Sequence, residues 1–256
     1  MKEPTRPPAW SEIRSRHHAS WTLPFHKLEW YLQWIAWALG NWALLEVLEY
    51  LGTFSVLIAV IFYFAESGDR TRQRHYTAWT VINTAQGKGG SGGRIEALEE
   101  LNGDRVALTG LDASLAFLRG VELPHAMLSR CSFEAADLRM SVLYDADLSF
   151  CNLKSANFRE TNFENAKLND ADLTNADLNS ANLAASDLSR TDLSNVDLRN
   201  TDLKNIRWDG IASMRLANVF GVRNAPDGFV TYALAHGAVA AASDEEWTKL
   251  QNAARP

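Results

Sequence analysis

The chain has 256 residues, 46% of them hydrophobic, with a formal charge of −6 and two cysteines. Two cysteines exclude a disulfide framework and, read as thiols, favour a reducing compartment. The modest negative charge gives no reason to expect a nucleic-acid partner.

Residues 1–28 ("MKEPTRPPAW SEIRSRHHAS" and onward) are punctuated by Pro and Arg with no sustained period, which predicts a mobile N-terminal tail. His17-His18 has no Cys or carboxylate at ligand spacing and is read as solvated rather than metal-binding. Residues 29–66 read as a membrane anchor segment. From Trp30 to Ala65 the only charges are Glu46 and Glu49. Tyr50 to Ala65 is short of the roughly 20 apolar residues that span a bilayer, so a span must recruit upstream residues. Gly40-Asn41 is expected to break the run into a Trp-rich interfacial piece (Trp30, Trp34, Trp37) and a transmembrane helix from about Trp42 to Ala65. A buried helix of a soluble domain is the alternative. Basic residues flank the run equally, Arg14, Arg16 and Lys27 before it and Arg70, Arg72 and Arg74 after it, so single span and hairpin both stay open. Glu46, Glu49 and Thr53 fall along one helical face, a polar face that either reaches water at the headgroups or lines a cation path in a homo-oligomer.

Residues 67–105 read as a helical connector with a Gly-rich hinge. Tyr76, Trp79, Ile82 and Asn83 suggest an amphipathic helix; a second helix, Arg94 to Leu101, follows Ser91 and ends at Asn102-Gly103. The run from Gly87 to Gly93 contains Lys88 but lacks a preceding strand and a closing Lys-Ser/Thr, so it is a flexible hinge rather than a phosphate loop.

From residue 106 to 208 the period is five. Counting by fives from Leu108 to Trp208 gives 21 positions, of which 16 are Leu, three Phe, one Trp and one Ala. Two residues before the large residue, from Ala126 to Thr201, lies a residue that is almost always small, and between Asp137 and Asp202 the intervening position is Asp or Asn in 12 of 14 cases. On a helix each step would advance about 500°, scattering the leucines. The local pattern of small-in, polar-out, large-in suits a strand, but two polar residues then follow, which means a corner. Extended piece and corner, repeated with one handedness, wind into a solenoid. The inward ladder is Leu138, Leu143, Leu148, Leu153, Phe158, Phe163, Leu168, Leu173, Leu178, Leu183, Leu188, Leu193, Leu198 and Leu203.

Ala171-Asp172-Leu173-Thr174-Asn175 and its neighbours resemble the pentapeptide-repeat proteins, whose consensus is A(D/N)LXX. The resemblance implies a mainly β fold, a right-handed quadrilateral β-helix with four pentads per coil, here with a transmembrane helix and α-helical caps. Residues twenty apart should then stack, with small Ala113 beneath Phe133, and five coils at about 4.8 Å make a rod of roughly 25 Å. Cys131 and Cys151 should stack too, as buried small residues poorly aimed for a disulfide.

Residues 209–256 are expected to form a C-terminal helical cap for the open edge. Phe229 to Ala242 supplies apolar surface, and a short helix follows Ser243, with Glu246 completing a capping box. Relatives can dimerise through this part.

No nucleophile–base pair, carboxylate cleft or metal cluster is legible, so the reading is not an enzyme, with no cofactor and no metal. The chain is expected to be a membrane-anchored scaffold at a bacterial inner membrane, presenting a cytoplasmic β-helix to a protein partner. A cation path through Glu46 and Glu49 is one alternative. The other is a duplex mimic, since some members of the family resemble DNA and bind DNA gyrase, a type II topoisomerase. With 16 acidic and 11 basic residues from Asp104 to Trp208 the rod falls far below a duplex, which presents one charge per roughly 1.7 Å.

Overall fold

A computed structural model describes residues 6–16, 23–40, 43–84 and 91–254, with the side chains of 16, 23, 43–49, 64–67 and 69 outside the description. The chain divides into two compact units, Met1–Thr71 and Arg72–Pro256. His17-His18 and residues 85–90 of the expected hinge lie outside the described residues.

The first unit is helical. Within the expected tail, α1 (Trp10–Arg16) is a helix, and α2 (Leu23–Gly40) begins before residue 28. Tryptophans explain the ordering. Trp10 packs against Trp30 at 5.9 Å between ring centres, Trp30 against Trp34 at 6.1 Å and Trp34 against Trp37 at 5.4 Å. Trp30 Nε1 donates to Pro8 O at 2.8 Å, and the Arg6 guanidinium lies 5.4 Å from the Trp34 ring centre. α2 ends at Gly40, where a break was expected, and α3 runs from Ala43 to Thr84. The expected helix end near Ala65 is therefore corrected. Nothing between Ala65 and Thr84 interrupts the i→i−4 ladder except Gly68, which costs about 1 kcal/mol, while each residue added gains a hydrogen bond. Among the described residues no helix is long and apolar enough to cross a membrane. Of the expected span, side chains are described for residues 50–63, and all of them are exposed.

The second unit is the coil and its ends. Parallel pairing joins residues twenty apart, Asp112 to Ser132 to Asn152 to Asp172 to Asp192 on one side, with three similar ladders beginning at Phe117, Glu122 and Met127. We number these sides 1 to 4 in that order. Each side is a single paired residue per coil, and no continuous strand is found among the described residues. All fourteen inward-ladder residues are fully buried.

One pentad shows why the period is five. The amide of Ala171 donates to Leu168 O, closing the corner; Asp172 N donates down to Cys151 O, and Leu173 N and Asn175 N donate up to Asp192 O and Ser194 O. The fifth amide, that of Thr174, points outward and donates to Asp172 Oδ1 at 3.1 Å. All five donors are thus satisfied, as a buried edge requires. The last residue of each pentad from 106 to 205 holds φ between 52° and 75°, so the corner has positive φ only at its third residue, as in a type II turn. At most of the small inward positions that carry a hydroxyl, it donates to a large residue's carbonyl one coil below, as Thr161 does to Leu138 O at 2.7 Å and Thr201 to Leu178 O at 2.9 Å; the Ser186 hydroxyl is buried without such a partner.

The coil does not stop at Trp208. Pairing resumes at a spacing of 21, Asp192 with Ser213, Asp197 with Asn218 and Asp202 with Arg223, so one extra residue enters the coil and hides the pentad register from the sequence. Asn218 then pairs with Val239. The N-terminal edge is covered by α4 (Arg94–Gly103), which the sequence presented as a connector. Its Leu98 and Leu101 are buried with Ala78 and Ile82 of α3, and its polar side chains meet the first coil: Glu99 Oε1 accepts from Glu122 N at 2.9 Å and Asn102 Nδ2 donates to Pro124 O at 3.0 Å. Gly93, at φ 82°, takes the N-cap position in place of Ser91. At the other end, α5 (Phe229–Ala235) packs Phe229 and Tyr232 on Trp208, and α6 (Asp244–Ala253) is capped by Ser243, whose Oγ accepts from Glu246 N at 3.2 Å.

Cys131 and Cys151 stack as expected but are joined as a disulfide, which corrects the expectation of two thiols. The coil rise brings their Cα atoms to 4.7 Å, within the range a bridge accepts. The thiol argument for a reducing compartment falls with it.

Candidate interaction faces

The outward Asp and Asn residues are the largest set of functional groups on the coil, and the backbone uses one oxygen of most of them. Oδ1 accepts the amide two residues on, from Asp112 and Ser114 at 3.0 Å through Asp177 and Asn179 at 3.0 Å to Asp202 and Lys204 at 3.0 Å. The second oxygen meets cations along the coil. Lys154 Nζ lies 3.0 Å from Asp172 Oδ2, Lys167 Nζ 3.5 Å from Asp147 Oδ2 and Arg207 Nη1 3.2 Å from Asp187 Oδ2. On the corner between sides 4 and 1, Arg190 grips Asp170 with two bonds of 2.7 and 2.6 Å. A side whose carboxylates are paired at this spacing is polar and flat rather than a stripe of negative potential.

These pairings set the titration of the ladder. The Arg139 guanidinium holds the Asp137 carboxyl below the usual carboxylate range, and Arg190 does the same for Asp170. Asp177 goes the other way: burial pushes it up, and the charge of Asp197 adds to burial against the Asn179 amide and Arg159.

Five outward side chains between residues 106 and 208 are large, apolar and exposed, against the polar rule. Leu115, Phe117, Met127, Met140 and Phe150 are exposed by 62%, 50%, 44%, 47% and 53%. Phe117 and Met127 stand where the pentad asks for Asp or Asn; Leu115, Met140 and Phe150 sit at corners with φ near 60°, a region unfavourable to bulky side chains. The register contained this signal, because an apolar residue at an outward position contradicts the pattern around it. Leu115, Phe117 and Met140 gather on and beside side 2 of the first coils.

In the first unit, Thr53 is exposed on α3, and the side chains of Glu46 and Glu49 lie outside the described residues. An apolar surface formed by Tyr50, Leu51, Thr53, Phe54, Val56, Leu57 and Val60 occupies one flank of α3. Among the described residues no group of His, Cys, Asp or Glu could hold a metal ion.

Residues 126–208 match the family model described as a pentapeptide repeat region. Similar solved structures include a pentapeptide repeat protein, Rfr23, from the cyanobacterium Cyanothece 51142, 27% identical over 40% of this chain and 88% of that one, with a TM-score of 0.24. A pentapeptide repeat protein of the Arabidopsis thaliana thylakoid lumen is 20% identical over 54% of this chain and 81% of its own, with a TM-score of 0.27. QnrB1, a plasmid-mediated fluoroquinolone resistance protein, is 16% identical over 51% and 86%, with a TM-score of 0.24. No curated protein matches the chain.

Proposed function

We propose that this protein is a non-catalytic scaffold that presents the sides of its pentad coil to a protein partner and is held at a membrane by its first unit. The observation that carries the reading is the division of outward groups into two kinds. Most carboxylates are committed to backbone amides and neighbouring cations, whereas five apolar side chains stand exposed where the repeat has no structural use for them. Flat, structurally satisfied sides with apolar anchors suit protein recognition. Membrane attachment is supported by α3, on which residues 50–63 are all exposed and ten are large and apolar or aromatic, and by the tryptophans of α2. A bacterial inner membrane is the location we propose; the expected cytoplasmic side for the coil loses its thiol argument to the Cys131–Cys151 disulfide.

Flotation with anionic liposomes tests the reading. The full chain should float and residues 72–256 should stay at the bottom of the gradient while retaining the far-ultraviolet dichroism of a folded coil. A truncated chain that floats equally would place the attachment elsewhere. A coil that shows no partner when photo-crosslinked in source membranes from Phe117, Met127 or Phe150 would remove the scaffold role itself.

A further inference from the structure

Among the described residues side 2 carries the same side-chain fork twice, and one copy is covered while the other is open. Asp137 with Arg139 and Asp197 with Arg199 occupy one register position in different coils. In the first, Arg139 Nε donates to Asp137 Oδ1 at 2.8 Å and Nη2 to Oδ2 at 2.6 Å; in the second, Arg199 Nε donates to Asp197 Oδ1 at 2.9 Å and Nη2 to Oδ2 at 2.5 Å. The chain covers the second copy with α6. Arg199 Nη2 also donates to Asp244 Oδ1 at 2.5 Å, its guanidinium lies 5.7 Å from the Trp247 ring centre, and Trp247 Nε1 donates to Leu216 O at 2.9 Å. Asp244 begins the helix and Trp247 stands three residues on, one turn along the same face. The side chain of Arg199 is left 12% exposed, that of Arg139 40%.

What surrounds the uncovered copy matches such a visitor. Phe117 pairs with Asp137 from the preceding coil and is half exposed, Leu115 and Met140 flank it, and Arg119 Nη2 reaches Met140 Sδ at 3.3 Å. The three consecutive side-2 positions are Phe117, Asp137 and Asn157, followed two residues later by Arg119, Arg139 and Arg159. Three guanidiniums thus stand along side 2 with two carboxylates, Asp137 held by Arg139 and Asp177 3.4 Å from Arg159, a local excess of one positive charge on a coil that is acidic as a whole. The first turn of α6, Asp244-Glu245-Glu246, has the opposite sign.

We propose that the Asp137–Arg139 fork is a docking site for the N-terminal turn of an acidic helix in a partner protein. A carboxylate at the start of that helix meets Arg139 as Asp244 meets Arg199, and a large apolar residue three or four positions on lies against Phe117 and Met140. This deepens the scaffold reading and rests on it.

The probe is a fluorescein-labelled peptide of residues 240–256, which reproduces the visitor seen at the covered copy, titrated into the full-length chain at low salt. One peptide should bind per chain, and Arg139→Gln and Phe117→Ser should each weaken binding by about tenfold, or roughly 1.4 kcal/mol. Arg190→Gln, on another corner, should leave it unchanged, and salt of about 0.5 M should weaken it through screening. An unchanged melting temperature in Arg139→Gln keeps its loss of binding from being loss of fold. Equal affinity for wild type and Arg139→Gln overturns the site, and so does no binding at about 1 mM peptide. Self-association of the chain that Arg139→Gln abolishes also overturns it, because the occupant is then a second copy. A coil that fails these tests yet crosslinks to a protein from Phe150 loses this site and keeps the scaffold role.

Discussion

The coil from residue 106 to 208 and the coil after it are built on the same plan and differ in how their polar groups are satisfied. In the regular part the outward amide has a partner two residues away wherever that residue is Asp or Asn, as Thr174 has in Asp172. After Trp208 distant partners are added to the local ones. Asn218, fully buried, donates from Nδ2 to Ala241 O at 2.9 Å and accepts from Ala241 N at 3.1 Å, while its Oδ1 still takes the local amide of Phe220 at 3.2 Å. One asparagine therefore serves both as a pentad corner and as the closure of the last edge. Local satisfaction leaves a repeating signature; distant satisfaction leaves none.

The largest effect should come from reversing the interior of the regular part. Leu178→Lys places an unpaired charge where no water reaches and should cost at least about 3 kcal/mol, against less than about 0.5 kcal/mol for the neighbouring outward Asn179→Lys. Urea denaturation of both variants checks the pair, and equal midpoints would break the register. Next comes Asn218→Ala, which strands two backbone groups of Ala241 and should cost about 2 kcal/mol by the same measurement, roughly twice the effect of Asn182→Ala within the regular coil. If the two asparagine variants lose the same amount, the closure at Ala241 contributes nothing.

A smaller contrast separates charge from hydrogen bonding. Asp192→Ala removes the acceptor for Ser194 N and should cost about 1 kcal/mol, whereas Asp192→Asn keeps an oxygen there and should cost under about 0.5 kcal/mol in thermal melts. The smallest effect concerns Asp177. Its carboxyl is raised in the folded state, so the native chain binds that proton more tightly than the unfolded one, and stability from this group falls as pH rises through the carboxylate range. Asp177→Asn keeps the bond to Asn179 N and should raise stability by about 0.5 kcal/mol at pH near 7, with the gain vanishing below the unfolded carboxyl pKa of about 3.9. Asp137 and Asp170, both lowered, act in the opposite sense: their contribution is present at neutral pH and is lost as pH falls through their folded values.

What was legible in the chain was whatever recurs within five residues. The inward leucines, the Asp/Asn position and the corner could all be read from Leu108 to Trp208, since each pentad meets its own requirement and then stacks on a copy of itself. The Ser243 cap of α6 was legible for the same local reason. The five apolar outward residues were legible in principle, as departures from a register already in hand.

The sequence by itself determined a coil of period five and the faces its side chains take, because every residue's environment there follows from its place in the pentad. The tertiary structure alone decided how that coil ends and what covers it. Glu99 and Asn102 meet the first coil from a helix the sequence presented as a connector, and Asn218 reaches Ala241 across the extra residue that hides the last coil. Arg199 takes Asp244 across 45 residues, while Arg139 in the same fork is left open. The physical reason is that an edge has no neighbour of its own kind. Its unpaired amides and carbonyls are satisfied by whatever segment folds back onto them, and nothing in the periodic stretch records which segment that is.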